Sequence, residues 1–82
     1  MPHVVVAGAE CRAFTGDVSE FDVKAQTVGR MIRELDVLYP GFGDHIQRRM
    51  AVAINGEIFQ GADGAALPEG AEIYLIPKIG GG

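Results

Sequence analysis

The spacing of apolar residues changes along the chain, and each spacing predicts a different element of secondary structure. Residues 3–7 are apolar and β-branched almost throughout, which is typical of a strand buried on both faces. Residues 20–24 alternate polar and apolar side chains, so we expect a half-exposed strand that pairs antiparallel with the first. Between these strands, residues 9–16 have the composition of one helical turn that ends at Gly16.

One clear amphipathic helix is predicted in the middle of the chain. Across Val28–Leu38, apolar side chains recur at intervals of three and four residues and therefore line one helix face. Thr27 is a suitable N-cap, and the Pro-Gly pair at 40–41 ends the helix. Asp44 is expected to cap one further short turn through Ile46.

The second half of the chain predicts three more strands. A short apolar run at 51–54 and a short segment at 57–60 (Glu-Ile-Phe-Gln) flank an Asn-Gly pair, which is the strongest short signal for a β-hairpin. A loop at 61–70 follows. Residues 71–76 then predict the last strand, and the proline after them is expected to end its hydrogen-bonded ladder.

The predicted order of elements defines the fold class. A strand pair, one main helix, a second strand pair and a final strand predict an α+β fold, with the helix across one face of a mixed four- to five-stranded sheet. The final strand is rich in isoleucine and leucine, so we expect it at the centre of the sheet, beside the first strand. This arrangement is a β-grasp, or ubiquitin-like, fold. It is expected to comprise residues 1–76, followed by a flexible C-terminal glycine tail at residues 77–82.

Length and charge exclude several classes of function. Eighty-two residues allow one small domain with a single core. The formal net charge of −4 argues against a nucleic-acid partner, because such binding needs a basic face. No apolar run approaches the ~20 residues of a membrane span, and no signal segment precedes the first strand. We therefore expect a cytoplasmic protein with no membrane partner.

The residues that most often carry catalysis or bind metals form no recognisable set. Cys11 is the only cysteine, which excludes an internal disulfide, and we expect it to be a small buried hydrophobe. His3 and His45 share no metal-ligand spacing, and each is expected at a strand end or on the surface. No bound metal or cofactor is predicted. Six carboxylates are interpreted as scattered surface residues without pairing: Asp17, Glu20, Asp22, Asp63, Glu69 and Glu72.

The last six residues are interpreted as a tether. Fully extended, they reach ~20 Å, which is far enough to enter another protein's active site. Glycine carries no side chain that blocks attack on its carboxyl group, so Gly82 is suited to be a reacting terminus. On composition alone, a flexible tail or a cloning remnant explains the three glycines about as well as a functional tether does.

Several segments, taken in order, resemble the ubiquitin-like sulfur carriers of the MoaD/ThiS type. Residues 11–16 resemble a Leu-Arg-x-x-Thr-Gly segment after the first strand, and residues 39–42 resemble Tyr-Pro-Gly-Leu. Residues 52–57 match a Val-x-Val-Asn-Gly-Glu hairpin, and residues 67–73 resemble Leu-x-x-Gly-Asp-Glu-Val. The length and the Tyr-Pro-Gly segment favour the branch of the molybdopterin synthase small subunit.

The resemblance implies a role for Gly82. In that family, a ubiquitin-activating-type adenylating enzyme uses ATP to activate the terminal glycine, which then becomes a thiocarboxylate. The sulfur passes to an accepting enzyme, such as the molybdopterin synthase large subunit. The chain itself is therefore expected to be a carrier and not an enzyme, although it could act as the small subunit of a heteromeric sulfurtransferase.

The resemblance also implies where partners bind. Five tail residues are expected to lie in the partner's channel: Pro77, Lys78, Ile79, Gly80 and Gly81. The sequence departs from the family here, because small or proline residues commonly occupy the positions of Lys78 and Ile79. An exposed apolar patch beside the last strand is expected to dock the partner, with Phe59, Tyr74 and Ile76 as candidates. Phe59 and Ile76 fit a purely structural role in the core equally well.

Three alternatives to molybdopterin synthesis stay open. The first is a sulfur carrier for another pathway, namely thiamine, cysteine or tRNA thiolation. The second is a ubiquitin-like modifier that is conjugated to other proteins through Gly82. The third is a β-grasp module that binds without covalent chemistry and has an incidental tail.

Overall fold

A computed structural model describes residues 1–59 and 64–78 of this protein. The helical elements are a 3₁₀ turn (Ala9–Cys11), α1 (Arg12–Thr15), α2 (Val28–Leu38) and α3 (Phe42–Arg49). The strands are β1 (His3–Val6), β2 (Glu20–Asp22), β3 (Met50–Ile54), β4 (Glu57–Phe59) and β5 (Glu72–Pro77). The predicted strand residue at 60 and part of the predicted loop, at 61–63, lie outside the described residues.

The five strands form one mixed sheet in the order β2-β1-β5-β3-β4. β1 and β5 run parallel, whereas β1 with β2, β3 with β4 and β3 with β5 pair antiparallel. The prediction of a central final strand beside the first is confirmed. This topology, with helices on one face of the sheet, is the predicted β-grasp fold.

The main helix begins and ends where the sequence indicates. The Thr27 side chain accepts a hydrogen bond from the backbone N–H of Arg30 at 3.2 Å, and the N–H of Tyr39 closes the last turn on the Leu35 carbonyl at 2.8 Å. The predicted apolar stripe is buried except at its end, where Leu38 is 58% exposed. The core beneath the helix contains the largest fully buried side chains: Phe42, Met31, Leu35, Ile46, Ile73, Leu75, Val4 and Val23.

The expectation of a single short turn after α2 is wrong. A second helix, α3, spans Phe42–Arg49, and its N-cap position is Gly41 in the left-handed conformation, with φ of 92°. Asp44 lies inside the first turn and forms an ion pair with Arg48 at 3.0 Å instead of capping the helix. Phe42, Gly43 and Ile46 are its buried residues, so this short helix has a mostly polar sequence with two large apolar side chains four residues apart.

A carboxylate of α2 organises the junction between the two helices. The Asp36 Oδ1 atom accepts hydrogen bonds from the backbone N–H of Gly41 at 3.1 Å and from that of Gly43 at 3.0 Å. A β-carbon at Gly43 would lie 2.9 Å from the Asp36 β-carbon, which is closer than van der Waals contact allows. The absence of a side chain at Gly43 therefore permits the close approach of α3 to α2.

The expectation that the first strand is buried on both faces is also wrong. Val4 and Val6 are buried, but His3 and Val5 are only half-buried, because helices cover one face of the sheet. The hairpin between β3 and β4 matches its prediction. Asn55 and Gly56 have φ values of 49° and 87°, the pair of positive angles that a type I′ turn requires.

Candidate functional site

The sheet face opposite the helices carries an apolar patch centred on β5. Ile73 and Leu75 point into the core, so the alternate residues Tyr74 and Ile76 lie on the other face. Register extends the patch across four strands, because Tyr74 is opposite Val5 on one side and Ala53 on the other. We call this patch the open face, and its residues are Val5, Ala51, Ala53, Ile58, Tyr74 and Ile76.

The open face exposes two large apolar side chains. Tyr74 is 45% exposed and Ile58 is 59% exposed, whereas Ala51 and Ala53, on the strand between these two side chains, are buried. The small side chains of β3 thus leave a shallow depression between Ile58 on β4 and Tyr74 on β5. An exposed apolar patch of this kind is typical of a protein–protein contact.

The three predicted docking residues are divided between the two faces of the sheet. Tyr74 and Ile76 belong to the open face, as expected. Phe59 pairs with Val52, which is buried, so Phe59 lies on the helix-covered face and packs against the core. The sequence analysis missed Ile58, although the two-residue turn fixes its position: once Ile54 is opposite Glu57, Ile58 must be opposite Ala53.

One end of the open face is acidic and contains a histidine. The His3 ring lies between two carboxylates, with Nε2 2.7 Å from the Glu20 Oε1 atom and Nδ1 3.1 Å from the Asp22 Oδ1 atom. Hydrogen bonds to Glu20 and then to Asp22 raise the pKa of His3 above its ordinary value of 6.5. A carboxylate only accepts hydrogen bonds, so both contacts together require the doubly protonated imidazolium. The expectation that these carboxylates are unpaired is therefore wrong.

At the other end of β5 lie Pro77, its last residue, and Lys78, which follows it. We call these two residues the tail root. Pro77 pairs with Met50, so β5 extends one residue beyond the predicted boundary at residue 76. The backbone N–H of Lys78 donates to the Arg49 carbonyl at 2.9 Å, and its Nζ atom donates to the Gln47 carbonyl at 3.2 Å.

A glycine two residues after the end of β1 lies against the tail root. Gly8 has φ of 108°, and a β-carbon there would lie 3.1 Å from the Pro77 ring. A side chain at this position would be strained and would crowd the proline. The other predicted tail residues, Ile79, Gly80, Gly81 and Gly82, lie outside the described residues.

Cys11 and His45 have structural surroundings. Cys11 is buried, as predicted, with its Sγ atom 3.6 Å from the Met50 Sδ atom. His45 is half-buried and packs on the Phe14 ring at a centroid distance of 5.0 Å, so the expectation of a surface position is wrong. The His45 Nε2 atom is buried without a hydrogen-bond partner in the described part of the chain.

The described residues contain neither a cluster of metal-binding side chains nor a helix that could span a membrane. No group of three or more histidine, cysteine, aspartate or glutamate side chains within 1–59 and 64–78 is arranged to hold a metal ion. In the same ranges, every helix is too short or too polar to cross a lipid bilayer.

Comparison with solved structures defines the class of protein. CysO of Mycobacterium tuberculosis is 20% identical, with a TM-score of 0.82 over 96% of this chain and 100% of that one. The Amycolatopsis orientalis BexX/CysO complex contains a chain that is 22% identical, with a TM-score of 0.82 and full coverage of both chains. SAMP1 of Haloferax volcanii is 22% identical, with a TM-score of 0.69 over 99% and 98% of the two chains. At these identities the likeness shows the β-grasp, ubiquitin-like fold.

Sequence comparison identifies the family. No curated protein sequence matches the chain significantly. The profile of the ThiS family matches residues 8–82, which is nearly the whole sequence. The protein therefore belongs to the ThiS family of ubiquitin-like sulfur carriers.

Proposed function

We propose that this protein carries sulfur as a thiocarboxylate on Gly82. The observation that carries the proposal is the central position of β5 in a ThiS-family chain, since this strand leads directly to the glycine segment. A strand with neighbours on both sides holds the point from which the tail starts. The globular body then provides the surface that a partner binds, and the length of the tail limits how far the reactive group can reach from it.

The chemistry needs an activating enzyme. The Gly82 carboxylate attacks the α-phosphorus of ATP, which forms an acyl-adenylate and releases pyrophosphate. A sulfide-level sulfur nucleophile then attacks the acyl carbon; a C–S bond forms, AMP leaves, and the thiocarboxylate remains. Glycine at this position leaves the carbonyl accessible to that nucleophile.

The tail root sets the reach of the tether. Lys78 is hydrogen-bonded to two carbonyl groups of α3, those of Arg49 and Gln47, so we count the tether from the residue that follows it. Four extended residues span at most ~14 Å, compared with ~20 Å for the six residues predicted from sequence. The catalytic centre of the activating enzyme is therefore expected within ~14 Å of the docked surface, unless Lys78 is released.

Docking of the body must offset the entropy of ordering the tail. Fixing four residues costs roughly 4–8 kcal/mol, at about 1–2 kcal/mol per residue. The open face is the surface proposed to supply this energy, because it exposes Tyr74 and Ile58 and because Tyr74 lies on the strand that leads to the tail. Tyr74 is the proposed anchor, since large aromatic residues often dominate binding at such contacts.

The proposed partners are an adenylating enzyme of the ubiquitin-activating type and an enzyme that accepts the sulfur. The first resemblance suggested the molybdopterin synthase large subunit as the acceptor. The likeness to CysO chains favours another of the predicted pathways, cysteine synthesis, and the two acceptors are distinguished by direct assay. We expect this chemistry in the cytoplasm, where ATP is available. The protein itself acts as a co-substrate and not as an enzyme.

The experiment that tests the proposal alters only the last residue. Deletion of Gly82, or extension by one alanine, is expected to abolish sulfur transfer while leaving the thermal unfolding midpoint unchanged. Gly64→Ala is a suitable control, because no atom of the described residues lies within 4 Å of the added β-carbon. Sulfur transfer by the truncated chain would refute the proposal. Isopeptide adducts of Gly82 with other proteins, in place of a thiocarboxylate, would support the modifier alternative.

A further inference from the structure

The strongest feature that the proposed function does not use is a cluster of positive charge around the tail root. Lys78 donates its backbone N–H to Arg49, so these two cations flank the final ladder pair of the sheet. Arg12 directly follows Cys11, whose sulfur contacts Met50, the residue next to Arg49. We call Arg12, Arg49 and Lys78 the basic collar.

The basic collar stands out against the charge of the whole molecule. The chain has 11 acidic and 7 basic residues, yet three of those seven bases hold backbone positions at this one end of the sheet. The opposite end of the open face carries Glu20, Asp22 and Glu72, with Glu72 paired to His3 in the sheet register. The protein therefore has a charge gradient along β5, from acidic at its start to basic at the tail.

The collar charges are not neutralised by other described residues. Among the side chains that the structure describes, ion pairs engage the N-terminus, His3 and Arg48, and none includes Arg49 or Lys78. The Lys78 Nζ atom donates to the neutral Gln47 carbonyl. Glu10 precedes Arg12 by two residues in the sequence and has the opposite charge. The inference therefore rests on the charges of Arg49 and Lys78.

From this geometry we infer that the activating enzyme presents an acidic rim at the mouth of the channel that receives the tail. The inference rests on the proposed function. A basic collar at the base of the tether attracts such a rim at long range and aligns the tail with the channel before apolar contact forms. The acidic end of β5 is repelled by the same rim, which disfavours docking in the reversed orientation.

A purely structural role makes different predictions. Cations near a helix C-terminus interact favourably with its last carbonyls, and both Arg49 and Lys78 lie at the end of α3. If this were their whole function, substitution would lower the unfolding midpoint without changing the binding of an acidic ligand. Binding and stability must therefore be measured on the same variants.

The first test uses a hexaglutamate peptide as a stand-in for the acidic rim. Titration into the ¹⁵N-labelled full chain at low ionic strength is expected to shift the amide resonances of Arg12, Arg49 and Lys78 most. A second basic region, Lys24, Arg30 and Arg33, is the internal comparison; it includes Glu34, which offsets part of its charge. Equal or larger shifts in that second region, or no shifts at all, would overturn the inference.

The second test compares two double variants that lose the same charge. Arg49→Gln with Lys78→Gln is expected to weaken hexaglutamate binding about threefold or more, and to slow ATP-dependent loading by the activating enzyme at low salt. Arg30→Gln with Arg33→Gln is expected to change neither. Equal effects of the two double variants, or an effect of the first on the unfolding midpoint alone, would overturn the inference.

The outcome is separable from that of the proposed function. Peptide binding needs no thiocarboxylate, so the collar can be tested even if Gly82 is never loaded. Conversely, normal loading of both double variants at every salt concentration would leave the sulfur carrier intact and refute the acidic rim.

Discussion

The two faces of β5 have opposite properties within one strand. Ile73 and Leu75 are fully buried beneath the helices, whereas Tyr74 between them is 45% exposed. Both faces are apolar, so hydrophobicity alone does not distinguish the residues that hold the fold from those that contact a partner. The register with the neighbouring strands makes that distinction, because the helices cover only one side of the sheet.

The largest expected effect is on the covered face. Leu75→Ala removes buried methyl groups and leaves a cavity, so we expect it to lower the free energy of unfolding by ~2–5 kcal/mol. Urea denaturation measures this loss. Ile76→Ala, one residue further and on the open face, is the matched control with a clearly smaller loss. Equal losses would contradict the assignment of the two faces.

The second prediction concerns the support of the covered face at the α2–α3 junction. Gly43→Ala places a β-carbon against the Asp36 side chain and disturbs its two hydrogen bonds, so we expect a loss of about 1–3 kcal/mol in unfolding free energy. Gly56→Ala is not a suitable control, because its φ is positive; Gly64→Ala is suitable, because its added β-carbon meets nothing in the part of the chain that the structure describes. A neutral Gly43→Ala would show that α3 moves freely relative to α2.

The third prediction concerns the open face. Tyr74→Ala is expected to change the unfolding free energy by less than ~1 kcal/mol, because the side chain is half-exposed. Loading of Gly82 by the activating enzyme is expected to slow by about tenfold or more, if Tyr74 anchors the partner. Val37→Ala is the control, since Val37 is 82% exposed but lies on α2. Equal rates for the two variants would exclude the open face as the docking surface.

The smallest expected effect is the pH dependence from His3. Because its pKa is raised in the folded protein, its stabilisation is fully present below the unfolded value of 6.5 and is lost as pH rises through the folded pKa. Glu20→Gln is expected to lower the pKa of the His3 imidazole, as measured by NMR titration. Glu57→Gln, at an exposed site on β4, should leave that pKa unchanged. A Glu20→Gln variant with an unchanged His3 pKa would contradict the hydrogen-bond assignment.

The sequence predicted most of the fold because its signals were local. The Thr27 cap, the apolar stripe of α2 and the Asn-Gly turn each depend on a few neighbouring residues, and all three are confirmed. The helix α3 was missed because only three of its eight residues are buried. Its sequence is short and mostly polar, and Phe42 and Ile46 alone are too few apolar positions to define a helical stripe.

The candidate site was less predictable, since it depends on strand register. An apolar run in β1 looked buried on both faces, yet Val5 contributes to the open face. Phe59 and Ile58 are adjacent, and only their pairing with Val52 and Ala53 decides which of them faces the helices. The contacts of His3 with Glu20 and Asp22 likewise follow from the alignment of two strands and not from sequence spacing.

The central claim is that Gly82 carries the sulfur, and intact-mass spectrometry of the protein isolated from its own cells tests it most directly. The account predicts a population heavier by one sulfur-for-oxygen exchange, which maps to the fragment containing Gly82 and disappears when that residue is deleted. A single unmodified mass under conditions in which sulfur transfer is active, or a sulfur located elsewhere in the chain, would contradict the account.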